Sequence, residues 1–148
     1  MMPSVTVAGN GLGGKVAVFA TSLAGNRSSG LLNLRKQELF GRLLERLAPG
    51  SLPVSVRDAP GIWTLASVAE DGRSMLVMLN NLSGDERDDV ILAFSGSWAG
   101  AEVSRVAADG SLEPLGRASG AWEVPFAMGQ MAPEFLVVGV YPSHARAE

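Results

Sequence analysis

Three stretches of this 148-residue chain carry residue types that could do chemistry. Gly9, Gly11 and Gly14 match G-x-G-x-x-G, and Gly9 to Lys15 matches G-x-x-x-x-G-K. Both patterns hold phosphate only when the glycine turn opens a helix, whose N-terminal amides and dipole then face the anion. Here VAVFA follows, β-branched and apolar, and the position that would carry a Mg²⁺-binding hydroxyl is Val16. These residues predict a glycine-rich hairpin joining Val5–Ala8 to Lys15–Ala20 rather than a phosphate loop. The second stretch is the acidic knot Asp85-Glu86-Arg87-Asp88-Asp89. A calcium loop places carboxylates at alternating positions around a central glycine. This run lacks that rhythm and has an arginine at its middle, so it reads as a turn between strands.

The third is His144, the single histidine, which lies in the terminal PSHARAE. A Ser-His-Asp triad would need this tail to fold back over a serine and a carboxylate. One histidine rules out a multi-histidine metal site, and the absence of cysteine rules out disulfides, thiolate zinc sites and cysteine nucleophiles. The glutamates Glu38, Glu70, Glu102, Glu113, Glu123 and Glu134 are spread along the chain, and no spacing brings two of them together. No catalytic residue, metal ligand or cofactor is therefore assigned, and the chain is read as a non-enzyme.

The elements that would position any site come next. After Ala20, TSLAGNRSSG reads as a loop. In the following LLNLRKQELFGRLLERLAPG, the residues Leu39, Phe40, Leu43, Leu44 and Leu47 recur at helical spacing on one face. Glu38, Arg42, Glu45 and Arg46 take the other face, Asn33 can cap the start, and Pro49-Gly50 ends it. Gly41 inside this helix suggests close approach of another backbone. From Leu52 onward the pattern is β. Asp71-Gly72 and Asp109-Gly110 mark two hairpins, and Phe135–Tyr141 is an almost wholly apolar last strand. Trp122, Val124 and Phe126 alternate, with Pro125 pointing to an edge position. The reading is a mainly β protein: an antiparallel β-sandwich of about seven strands, preceded by a β-hairpin and one amphipathic helix. Residues 1–51 form the hairpin and helix, 52–142 the sandwich and 143–148 a flexible tail, with the seam at LPVSVRDAPG.

Composition narrows the classes. The chain is 47% hydrophobic and 18% charged, enough to bury a core. A net charge of −3, with 12 scattered Lys and Arg, gives no footprint for nucleic acid. The opening MMPSVTVAGNG has no basic segment followed by a long apolar run, and no apolar run reaches membrane-spanning length. A cytoplasmic location without membrane partners is expected.

The run GGKVAVFAT…LLNLRKQELFGRLLERLAPGSLPVSV resembles the last strand and helix of the glutamine-amidotransferase-like domain of family-42-type β-galactosidases and related glycosidases. The stretches SMLVMLNNLSGD…VILAFSG, VSRVAADGSLEPLG and APEFLVVGVY look like the small β-sandwich that ends such enzymes. The catalytic barrel with its two carboxylates is absent from this chain, so no catalytic residue carries over. The resemblance implies a non-catalytic accessory or assembly module whose partner is a second copy or a glycosidase catalytic domain. Its partner face would be Leu39, Phe40, Leu43 and Leu47. The alternative is a carbohydrate-binding sandwich using aromatic platforms. Its candidates are Trp98, placed by SGSWAGAE in an exposed loop, then Trp63 and Trp122, whose apolar alternation favours the core, and Tyr141.

Overall fold

The computed structural model describes residues 5–20, 34–48, 52–59 and 61–139, with side chains in the helix described from residue 38. The expected Asn33 cap, the Pro49-Gly50 stop, Tyr141, His144 and the 143–148 tail lie outside the described residues. The chain divides into two compact units, Met1–Leu52 and Pro53–Glu148.

In the first unit, β1 (Val5–Gly9) pairs antiparallel with β2 (Lys15–Phe19), Val5 opposite Phe19 and Gly9 opposite Lys15. Asn10 builds the turn. Its Oδ1 accepts hydrogen bonds from the amides of Leu12 (3.1 Å) and Gly14 (2.7 Å). Gly13 turns with φ of +85°, which favours glycine, and a Cβ on Gly14 would come within 2.9 Å of Asn10 Nδ2 and displace the side chain that builds the turn. The glycine-rich bend thus leads into a strand, as its sequence indicates. Lys15 sends its ammonium to the Arg46 carbonyl (3.2 Å) at the end of the helix α1 (Leu34–Leu47), where unpaired carbonyls favour a cation.

The helix lays its apolar stripe on the hairpin of its own unit. Phe40 stacks on Phe19 with centroids 5.0 Å apart and planes 14° off parallel, and Leu43 is buried. Gly41 is exposed, and a Cβ there would meet nothing within 4 Å. Among the described residues no backbone makes the close approach expected at Gly41, and the residue carries the entropic penalty of a helical glycine. Gly41→Ala should raise the stability of this unit by about 1 kcal/mol, read as a higher melting midpoint of the helical circular-dichroism signal.

The second unit is a sandwich of two antiparallel sheets. One holds five strands in the order β4 (Ile62–Val68), β5 (Ser74–Asn81), β10 (Pro133–Gly139), β7 (Glu102–Val106) and β8 (Leu112–Arg117). The other holds β3 (Val54–Arg57), β6 (Ile91–Phe94) and β9 (Trp122–Glu123). Both Asp-Gly signals form their hairpins. Asp71 and Asp109 each accept the amide two residues on, at 2.9 Å, while Gly72 and Gly110 take positive φ. Eight strands stand where about seven are expected. The added one is β3: Val54 and Val56 alternate with Ser55 and Arg57 inside the stretch read as a seam, and Val54 is buried opposite Phe94.

One core joins the sheets. Met75, Val77 and Leu79 of β5, Val103 of β7, and Leu136 and Val138 of β10 pack in one cluster with Val54, Leu92, Phe94 and Trp122 from the smaller sheet. Burying such side chains stabilises the fold by about 1.5–3 kcal/mol each. Trp122 meets Phe94 edge-on at 6.1 Å.

Candidate interaction face

The acidic knot is held in place by one buried amide. Asn81, fully buried at the end of β5, donates from Nδ2 to the carbonyls of Asp85 (2.8 Å) and Met128 (3.0 Å). Its Oδ1 accepts from the Ser83 amide (3.0 Å) and the Ser83 hydroxyl (2.5 Å). All four hydrogen-bonding positions of the amide are used. Beyond it, Arg87 forks onto both carboxylate oxygens of Asp89 at 2.7 and 2.8 Å, and bridges Met128 through its backbone. The Arg87 hydrogen bond holds the Asp89 carboxyl below the usual aspartate range. A lowered carboxyl contributes stability at neutral pH that is lost as pH falls through that lowered value. Among the described residues no group of three or more potential metal ligands comes together.

Two of the glutamates are likewise tied into ion pairs. Glu134 receives a fork of hydrogen bonds from Arg105, both at 2.8 Å, and the guanidinium lies 4.3 Å from the Phe126 ring centroid. Glu102 lies 3.8 Å from Arg117. Glu134 is thus committed to an arginine rather than facing a second carboxylate.

The aromatic candidates are redistributed. Trp98 is buried at 6% exposure, not in an exposed loop: the short 3-10 turn Gly96–Trp98 tucks its ring into the core cluster that also holds Ala101 and Ala118. Trp122 is also buried. Trp63, expected in the core, is 42% exposed because it sits on the outer face of β4. The helix stripe is divided between packing and surface. Leu43 is buried, Phe40 is stacked on Phe19 and Leu47 is half-buried, so the stripe is largely used within its own unit, leaving Leu39 and Leu44 exposed.

The main apolar surface lies where composition gives little warning of it. Strand alternation sends one set of side chains from the five-stranded sheet into the core and the other outward. The outward set is also apolar. Across the sheet, Leu65 stands beside Met78 and Met78 beside Phe135, while Ser67, Leu76 and Val137 form the next row. Trp63, Asn80 and Pro133 form the third. Leu65 is 63% exposed and Leu76 45% exposed, with Phe135 next to them at the sheet centre. Under the Trp63 row, Asn80 Oδ1 is shielded from solvent and has no hydrogen-bond partner. The sequence signal for this face is MLVML, apolar at both parities, which reads as a strand buried on both sides.

No family model, curated protein or solved structure matches this chain. No helix among the described residues is long and apolar enough to cross a membrane.

Proposed function

We propose that the chain is a non-catalytic assembly module that associates with protein through the outer face of its five-stranded sheet. The observation carrying this reading is the contiguous patch of Leu65, Leu76, Met78 and Phe135 on a face that no second layer among the described residues of its own unit covers. Contiguous exposed apolar area of this kind marks interaction sites rather than ordinary surface. The resemblance of the chain to the tail of family-42-type glycosidases supports the same reading, with a second copy or a catalytic barrel as partner. Leu76→Lys puts a charge at the middle of the face and should weaken association roughly tenfold or more in sedimentation velocity. Its thermal midpoint should stay unchanged. Association equal to wild type would remove the face from the account.

A second reading is favoured by Trp63 alone. An indole exposed on a sheet can stack on the apolar side of a sugar ring. Trp98 and Trp122 are buried, so any change in tryptophan emission on titration with a sugar panel reports Trp63. A shift abolished by Trp63→Phe would support carbohydrate binding; an unchanged spectrum for every sugar would dismiss it.

A further inference from the structure

The two edges of the five-stranded sheet are built differently. At one edge, β8 carries Pro114, the charges Glu113 and Arg117, and a register shift where β7 pairs with it between Val103 and Ser104. Gly116 there takes φ of +133°. Proline, charge and bulges are the devices that stop an edge from recruiting another strand. At the other edge, β4 reads IWTLASV, with no charge, no proline and an unbroken register against β5.

The hydrogen-bond phase shows which backbone groups β4 leaves open. Ala69 donates to Ser74 (2.9 Å) and Leu82 donates to Gly61 (2.8 Å), so the odd-numbered residues of this ladder exchange bonds with β5. In an antiparallel pair the intervening residues then point N–H and C=O away. Ile62 uses its amide on Ala59. The outward groups of Thr64, Ala66 and Val68 have no partner among the described residues.

We propose that β4 pairs antiparallel with β4 of a second copy about a two-fold axis, joining two five-stranded sheets edge to edge. This inference rests on the assembly reading and adds a contact at the sheet's edge, separate from the contact of its outer face. A strand supplies the one chemistry that satisfies a row of alternating N–H and C=O groups. The strand's own sequence fits the role, since an uncharged edge brought against itself meets no like charge. Full overlap of the seven residues Ile62–Val68 puts Leu65 opposite Leu65 of the second copy. Thr64 then exchanges backbone bonds with Ala66 of the second copy, in phase with the open groups, and Trp63 lies opposite Ser67. The two exposed apolar faces become one continuous surface across the join. A seven-residue contact is roughly 23 Å long and lies at the small end of specific interfaces, which start at ~1,200 Å² in total. The dimer is therefore a micromolar one that exchanges with monomer.

The chain has no cysteine, so a single introduced thiol reports the register cleanly. Side chains directly opposite in a non-hydrogen-bonded pair have Cβ atoms close enough for a disulfide. Under mild oxidation at micromolar concentration, Leu65→Cys should form a disulfide-linked dimer at least tenfold faster than Leu112→Cys on the guarded edge. Leu65→Lys, at an exposed position, should run as a monomer with unaltered near-UV circular dichroism. Hydrogen exchange should show the Thr64 and Ala66 amides protected in a concentration-dependent way. Equal cross-linking of the two cysteine variants would overturn the edge pairing, as would a Leu65→Lys dimer as tight as wild type. Protection of those amides in a strict monomer would also overturn it, by assigning the edge to another segment of the same chain. A dimer lost in Leu76→Lys but kept in Leu65→Lys would leave the assembly reading standing and dismiss this pairing. A wild-type chain that never associates would dismiss both.

Discussion

Asn81→Ala should destabilise the sandwich by about 2–3 kcal/mol, seen as a large drop in the urea midpoint with an unchanged slope. The deletion leaves the Ser83 amide without its partner, while the Asp85 carbonyl keeps the Ser83 hydroxyl (2.8 Å) and the Met128 carbonyl keeps the Arg87 amide (3.1 Å). Four hydrogen bonds are lost together around a fully buried side chain, and the amide left unpaired adds its desolvation cost. Asn81→Asp separates shape from chemistry. The carboxylate keeps the amide's outline and can still accept from Ser83, but it faces two carbonyl oxygens with no proton to give. Its folded-state pKa should be raised, so the aspartate variant should lose stability as pH rises from the unfolded carboxyl value of about 4. It should recover stability in acid. Equal stability of the aspartate variant and wild type at neutral pH would show that the amide donors do not organise the loop.

Leu136→Ala is expected to cost about 3 kcal/mol. Leu136 is fully buried on β10, the central strand of the large sheet, and packs in the cluster shared with the small sheet. Removing it withdraws transfer free energy and leaves a cavity that flanking strands cannot close. The informative comparison is Leu65→Ala on the opposite side of the same sheet, where the side chain is 63% exposed. That change should stay within about 0.5 kcal/mol by chemical denaturation of dilute protein. Two leucines in one sheet should thus differ severalfold in cost, and similar costs would place a covering layer over the outer face.

The elements that local chemistry determines were legible in the sequence. Asp71-Gly72 and Asp109-Gly110 fix their turns through an aspartate oxygen on a nearby amide and a glycine at positive φ, and neither needs the rest of the fold. The Asn10 turn and the stripe of α1 are similarly local. Exposure was not legible, because it depends on where a second layer lies. The three-stranded sheet packs on only one side of the five-stranded one. Which parity of an all-apolar strand such as SMLVMLNN faces it is set by cross-strand register, not by composition. That is why Trp63 emerges at the surface. Trp98 fails for the reverse reason: glycine and serine around it resemble a loop, yet a three-residue turn directs the ring inward. β3 escaped notice because four residues alternating Val-Ser-Val-Arg are too short to stand out before pairing with β6.

Association through the exposed side and open edge of the large sheet is what distinguishes an assembly module from a solitary sandwich. Multi-angle light scattering across a concentration series tests it directly. The weight-average mass should climb from the 15.4 kDa of one chain toward double that value as concentration passes through the micromolar range. A mass that stays at one chain across the whole series would contradict it.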